Sequence, residues 1–216
     1  MKNKTKLIVF DLDGTLVDSM SDFADQAAFL MEKHYGIPRK EGWARYMDTS
    51  GLPFYQQLET LFPGDEKNAA VSARFEAWKI ENIANSPLHP GVTEIFQNLK
   101  AMGFMIAISS NNMQPNVDRI IRDHKLIADA VLGFREAGFQ KGESHFLWLE
   151  KHLECSRSQM LFVGDSRNDC RIARRCNVPF LAFPGTFSLV QFREVDPEVR
   201  HINRIDEVME ALSTKS

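Results

Sequence analysis

Three short segments of this 216-residue chain hold side chains suited to chemistry. Asp11-Leu12-Asp13-Gly14-Thr15 sets two carboxylates two residues apart, just ahead of a glycine. Ser109-Ser110-Asn111-Asn112 offers hydroxyls and amides, and Gly164-Asp165-Ser166-Arg167-Asn168-Asp169 adds two more carboxylates. Lys141 lies between the last two. A carboxylate-rich set without a Cys or His cluster suits a hard, oxygen-preferring divalent cation. His34 and His89 stand alone, which argues against a zinc site. Each segment also has a purely structural reading, because Asp and Gly suit turns and Ser, Asn and Asp cap helices. Their joint placement is what points to a site.

That placement depends on the elements that carry them. Leu7-Ile8-Val9-Phe10 is a short apolar run with β-branched residues, as in a strand buried on both faces. Similar runs cover 105–108, 130–132, 160–163 and 180–183. Helical spacing separates them: Val92, Ile95, Phe96, Leu99 and Met102, then Val117, Ile120 and Ile121, then Phe146, Leu149 and Leu153. Strands alternating with helices give an α/β class, a doubly wound parallel sheet. All three polar segments then follow strands, and open α/β sheets bind ligands beyond the carboxyl ends of their strands. From about Leu16 to Leu88 the alternation stops. Three amphipathic helices are expected there, around Phe23–Met31, Phe54–Phe62 and Val71–Ile83, forming an all-helical insertion.

Composition narrows the function classes. With 44% apolar residues the chain can bury a core, which excludes a disordered tail. A net charge of −3 argues against a nucleic-acid partner. No apolar run approaches the roughly 18 residues of a membrane span, so no membrane partner is expected. Cys155, Cys170 and Cys176 form no CxxC pair, and a reducing cytoplasm is the default location.

The full set resembles the haloacid dehalogenase superfamily in its phosphatase branch. Asp11-Leu12-Asp13-Gly14-Thr15-Leu16-Val17-Asp18-Ser19 is similar to the family's first motif almost letter for letter, Ser110-Asn111 to the second, Lys141 to the third, and Gly164–Asp169 to the fourth. The resemblance implies a Rossmann-like core (1–15 and 89–216) with a helical cap (16–88) between motifs one and two. It implies Mg²⁺ held by the Asp11 and Asp165 side chains and the Asp13 backbone carbonyl, with Asp169 in or just beyond the first shell. Asp11 would attack phosphorus and become an aspartyl-phosphate. Asp13 would protonate the leaving alcohol and then deprotonate the attacking water. Ser110, Asn111 and nearby backbone N–H groups would hold the phosphoryl oxygens, and Lys141 would face both Asp11 and the phosphate.

A carboxylate meeting a phosphate dianion at ~4 Å is opposed by roughly 8 kcal/mol at an effective dielectric of about 20, so cations between them are required. The third motif departs from the branch's usual Lys-Pro, reading Lys141-Gly142-Glu143, and Lys125 is a weaker candidate. Ser109 is the runner-up to Ser110. In the cap, Arg45 within a 45–54 loop is a candidate for a substrate carboxylate. Lys33, Lys40, Lys67 and Lys79 read as solvated charges, and Trp43, Phe75 and Trp78 as cap core. The expected activity is hydrolysis of a small phosphorylated metabolite, phosphoglycolate or a sugar phosphate, by a monomer or homodimer. The rivals are a phosphomutase of the β-phosphoglucomutase kind and a non-catalytic phosphate-binding regulatory protein.

Overall fold

A computed structural model describes residues 5–82, 86–135 and 138–213. It divides into two compact units, Met1–Asp18 with Pro87–Ser216, and Ser19–Ser86.

The first unit is built on a six-stranded sheet in the order β3-β2-β1-β4-β5-β6. Its strands are β1 (Leu7–Phe10), β2 (Met105–Met113), β3 (Ala130–Phe134), β4 (Met160–Gly164), β5 (Phe180–Ala182) and β6 (Arg200–His201). Every pairing is parallel, with Leu7 opposite Met105 on one side and Met160 on the other. Residues 7–10 are fully buried, because helices cover both faces. β1 is central, and the chain crosses to β2 on one side and to β4 on the other. The strand order reverses there, and ligand crevices form at such a reversal.

Two strands differ from the sequence expectation. β2 continues past Ile108 to Met113, with a register shift against β3 between Ser109 and Met113, so the Ser/Asn segment lies on the strand itself. β6 is two exposed residues long and carries no apolar signal that periodicity could detect.

The second unit holds α1 (Met20–Tyr35), α2 (Arg39–Thr49), α3 (Phe54–Leu61) and α4 (Asn68–Asn82). Gly36, at φ 69°, ends α1 in the left-handed conformation that glycine adopts freely. An aromatic cluster forms the core: the Phe54 and Phe75 ring centroids lie 4.2 Å apart, and Phe23 and Phe75 6.0 Å apart. Helix α2 was not expected. Only Gly42 and Tyr46 of its residues are buried, so it shows no helical apolar stripe. Gly42 instead allows close approach to α1, since a Cβ there would lie 3.1 Å from the Ala28 Cα.

This unit departs from the sequence expectation at three points. The segment from Arg45 to Thr49 is helix and not loop. Trp43 is 37% exposed, so it is not core, whereas Phe75 is buried. Lys79 is buried, with its ammonium 4.8 Å from the Phe23 ring centroid and 5.7 Å from that of Phe75. Ile83, expected at the end of the third helix, lies outside the described residues.

The first unit also reaches further into the chain than residues 15 and 89. Leu16 and Val17 are fully buried in it, and Val17 bridges both Asp13 and Leu88. Asp18 N–H donates to the Pro87 carbonyl and His89 N–H to the Leu16 carbonyl, each at 2.9 Å, so the two chain crossings are zipped together.

Helices α5 (Val92–Ala101), α6 (Gln114–Asp123), α7 (Glu143–His152), α8 (Arg167–Arg175), α9 (Leu189–Arg193) and α10 (Val208–Ser213) complete the first unit. Among the described residues no helix is long and apolar enough to cross a membrane, and the three cysteines are buried and free.

Candidate active site

Asp11 is the first residue beyond β1, and Asp165 the first beyond β4. β1 and β4 are paired in register, Phe10 opposite Val163, so the two carboxylates emerge side by side. Asp169 joins them from the first turn of α8. Ligand oxygens of Asp11, Asp165 and Asp169 all lie within 4.8 Å of one another, and all three residues are buried.

One buried ammonium answers them. Lys141 Nζ lies 2.8 Å from Asp11 Oδ1 and 2.7 Å from Asp169 Oδ1. Lys125 and Lys151 are exposed. Burial by itself would lower the Lys141 pKa, but Asp11 and Asp169 outweigh it and hold the amine charged. For Asp11, burial raises the carboxyl well above its ordinary value, Lys141 opposes this, and Asp169 and Asp165 add to it. For Asp165, burial and then the Asp169 charge raise the pKa to about 7, against a Thr186 hydrogen bond and Lys141. Burial is the leading cause, and crowding adds to it: with all three carboxylates ionised, one ammonium would leave two negative charges unbalanced. A divalent cation fits that donor set, being all oxygen, all carboxylate and short by its own charge.

Asp169 is fixed by a second set of contacts. Ser166 caps α8: its hydroxyl accepts from the Asp169 N–H at 3.0 Å, and Asp169 Oδ2 accepts from the Ser166 N–H at 3.2 Å and hydroxyl at 2.6 Å. This reciprocal cap turns Asp169 Oδ1 toward Lys141. Gly164 makes room for it, since a Cβ there would come within 2.8 Å of both Cβ and Oδ2 of Asp169.

The Asp13 side chain is engaged with residues of β2. Its Oδ2 lies 3.5 Å from the Ser110 hydroxyl and 3.4 Å from the Asn112 amide nitrogen, both of which donate to it. Ser110 Oγ in turn accepts from the Asn112 N–H at 2.9 Å. Of the two serines, Ser110 joins this cluster, and Ser109 Oγ lies 2.8 Å from His145 Nδ1. The Asn111 side-chain oxygen accepts from the Lys141 backbone N–H at 3.2 Å, tying the end of β2 to the lysine segment. Arg45 stays on its own helix. Its guanidinium donates to Glu41 at 3.0 and 2.6 Å, an i,i+4 pair, so it is engaged within the second unit.

Three residues at the site carry no role in the sequence reading. Asn112 holds Asp13, as described. Thr15 donates to Asp165 Oδ1 at 3.3 Å, and the Thr186 hydroxyl donates to Asp165 Oδ2. Thr15 lies inside the first motif. Thr186 follows the end of β5, the same topological position as the other site residues, and that position was the available signal.

The model of the haloacid dehalogenase-like hydrolase family matches residues 8–183. The chain belongs to that family. This hydrolase is 30% identical over 183 residues to a phosphoglycolate phosphatase of Mannheimia succiniciproducens, covering 78% of this chain and 81% of the relative. It is 31% identical over 185 residues to a phosphoglycolate phosphatase of Vibrio cholerae, covering 78% and 80%. Among solved structures, a predicted phosphatase from Clostridium acetobutylicum superposes with a TM-score of 0.84 at 19% identity, covering 97% of this chain and 99% of that one. At that identity the likeness speaks for the fold alone. The hydrolase is an enzyme of the family's phosphatase class.

Proposed function

We propose that this enzyme is a Mg²⁺-dependent phosphatase that hydrolyses a small phosphate monoester, phosphoglycolate first, through an aspartyl-phosphate on Asp11. The observation that carries the reading is Asp11: a buried carboxylate at the strand-order reversal, 2.8 Å from the Lys141 ammonium, in a cluster short of positive charge. The choice of phosphoglycolate rests on relatives that bear that name.

Asp11, Asp165 and Asp169 are the side chains that would hold or flank Mg²⁺, with the Asp13 carbonyl as a further oxygen. When bound, the ion supplies the charge that lets an anionic nucleophile approach an anionic phosphate. Asp11 attacks phosphorus in line with the ester oxygen. As the Asp11–phosphorus bond forms, the bond to the ester oxygen breaks and the Asp13 carboxyl protonates the departing alkoxide. The Asp13 carboxylate then takes a proton from water, the hydroxide adds to phosphorus, and Asp11 leaves with inorganic phosphate as the product. Ser110 and neighbouring N–H groups hold the phosphoryl oxygens, and Lys141 balances their charge. Asn112 orients Asp13 for both proton transfers.

The test is phosphate release from p-nitrophenyl phosphate with Mg²⁺, followed by a panel of phosphorylated metabolites that includes phosphoglycolate and hexose phosphates. Asp11→Asn is expected to abolish release while the protein remains folded by circular dichroism. Activity surviving that change ends the proposal. An isomerised sugar phosphate without free phosphate assigns a mutase instead.

A further inference from the structure

We propose that Ser109 and His145 form a buried strut that sets the position of Lys141 relative to Ser110, which makes His145 a positioning residue for the reaction. The inference rests on the reading above, in which Ser110 and Lys141 both face the phosphoryl group.

Ser109 and His145 are each fully buried, and Ser109 Oγ lies 2.8 Å from His145 Nδ1. Ser109 adjoins Ser110 on β2, and successive strand residues point to opposite sides. Ser110 therefore serves the Asp13 cluster while Ser109 reaches α7. His145 stands in the first turn of α7, four residues beyond Lys141. On the other side of Ser110, Asn111 accepts from the Lys141 N–H. Both strand neighbours of Ser110 thus grip the segment that carries the lysine.

That segment needs a grip. Gly142 lies between Lys141 and α7 at φ 122°, a conformation open to glycine and closed to most other residues. A glycine there gives the chain freedom at the point where Lys141 must be aimed. Each of the two buried polar groups would also be costly without a partner. Burial, with Lys141 and Arg135 adding to it against a pull from the Gly133 backbone, drives the His145 pKa down to about 3. The imidazole is therefore neutral at working pH and the bond to Ser109 persists across it. The Phe139 ring packs against the imidazole, with centroids 4.7 Å apart.

The experiment compares His145→Asn with His145→Leu. The two side chains have nearly the same shape, and Asn keeps a polar atom where Nδ1 stood. His145→Leu and Ser109→Ala are each expected to lower kcat for p-nitrophenyl phosphate by about tenfold or more, since small displacements of catalytic groups are costly. The double variant should lose no more than either single one, because both remove the same bond. His145→Asn should stay within about threefold of wild type. Leu149→Val, a core change on the same helix, controls for general loosening and should leave kcat unchanged. A second readout needs no turnover: acetylation of Lys141, followed by peptide mass spectrometry. The lysine side chain is 3% exposed, so it is protected in wild type and should become labelled in His145→Leu but not in Leu149→Val.

Full kcat in His145→Leu, multiplying effects in the double variant, or an equal loss in Leu149→Val overturns the strut. If wild type releases no phosphate, the phosphatase reading fails on its own. The labelling result then still decides whether Ser109 and His145 position Lys141.

Discussion

Asp165 shows how a single residue is read twice, once by its type and once by its surroundings. As a type it is a carboxylate after a glycine. In place it is buried, accepts from Thr15 and Thr186 on its two oxygens, and titrates at about 7. If Thr186 orients it for a cation, Thr186→Val should weaken Mg²⁺ binding about tenfold by calorimetry, the usual scale for a group that positions a ligand. Unchanged affinity would show that the hydroxyl has no such task. The raised carboxyls also set a pH dependence. A buried acid whose folded pKa exceeds its unfolded value of 3.8 stabilises the fold fully below that value, and the contribution is lost as pH rises through the folded pKa. For Asp165 the metal-free protein therefore loses this contribution between about pH 4 and 7, and the raised Asp11 carboxyl acts in the same direction. Mg²⁺ replaces the missing protons, so the rise in Tm between EDTA and saturating Mg²⁺ should grow from pH 5 to pH 8. A shift that is constant or shrinks over that range contradicts this account of the cluster.

At the scale of elements, α8 matters most. Its Ser166 cap and the bare backbone of Gly164 together aim Asp169 at Lys141. Gly164→Ala should destabilise the protein by about 1–3 kcal/mol in urea unfolding, the usual cost of overpacking, and should reduce activity more than Ser166→Ala does. Ser166→Ala removes a cap worth about 1 kcal/mol. Wild-type stability in Gly164→Ala would mean that the close approach to Asp169 relaxes freely. The sequence places Ser166 three residues before Asp169, a spacing suited to a helix cap. It did not show that a capping carboxylate and a lysine-pairing carboxylate are the same residue, because capping is local in sequence and the ion pair with Lys141 is not. Helix α2 gives the opposite lesson. It has almost no buried stripe, so its helicity follows from close packing on α1 through Gly42, which no periodicity records.

For the molecule as a whole, the two units each hold a core of their own, and the first is closed where the chain leaves and re-enters it. The Val17–Leu88 bridge and the Asp18–Pro87 hydrogen bond bring those ends together. Replacing Ser19–Ser86 by a short glycine linker should therefore leave a core that melts cooperatively and still gains Tm from Mg²⁺, since Asp11, Lys141, Asp165 and Asp169 all remain. Loss of cooperative melting would show that the second unit is needed to hold the first together.

The sequence by itself determined that an α/β sheet would carry carboxylates beyond its strand ends, and which segments would bear them. Apolar runs and turn residues are local signals, and the parallel sheet's geometry turns them into a crevice. It also singled out Lys141 over its neighbours, although Gly142 replaces the usual proline. The tertiary structure alone decided that Ser110 and not Ser109 meets Asp13, that Thr186 reaches Asp165, and that Lys79 is buried between rings. These outcomes depend on strand register, on the face a side chain takes, and on partners distant in the chain. Such contacts are fixed only once the layers pack, and no single segment encodes them.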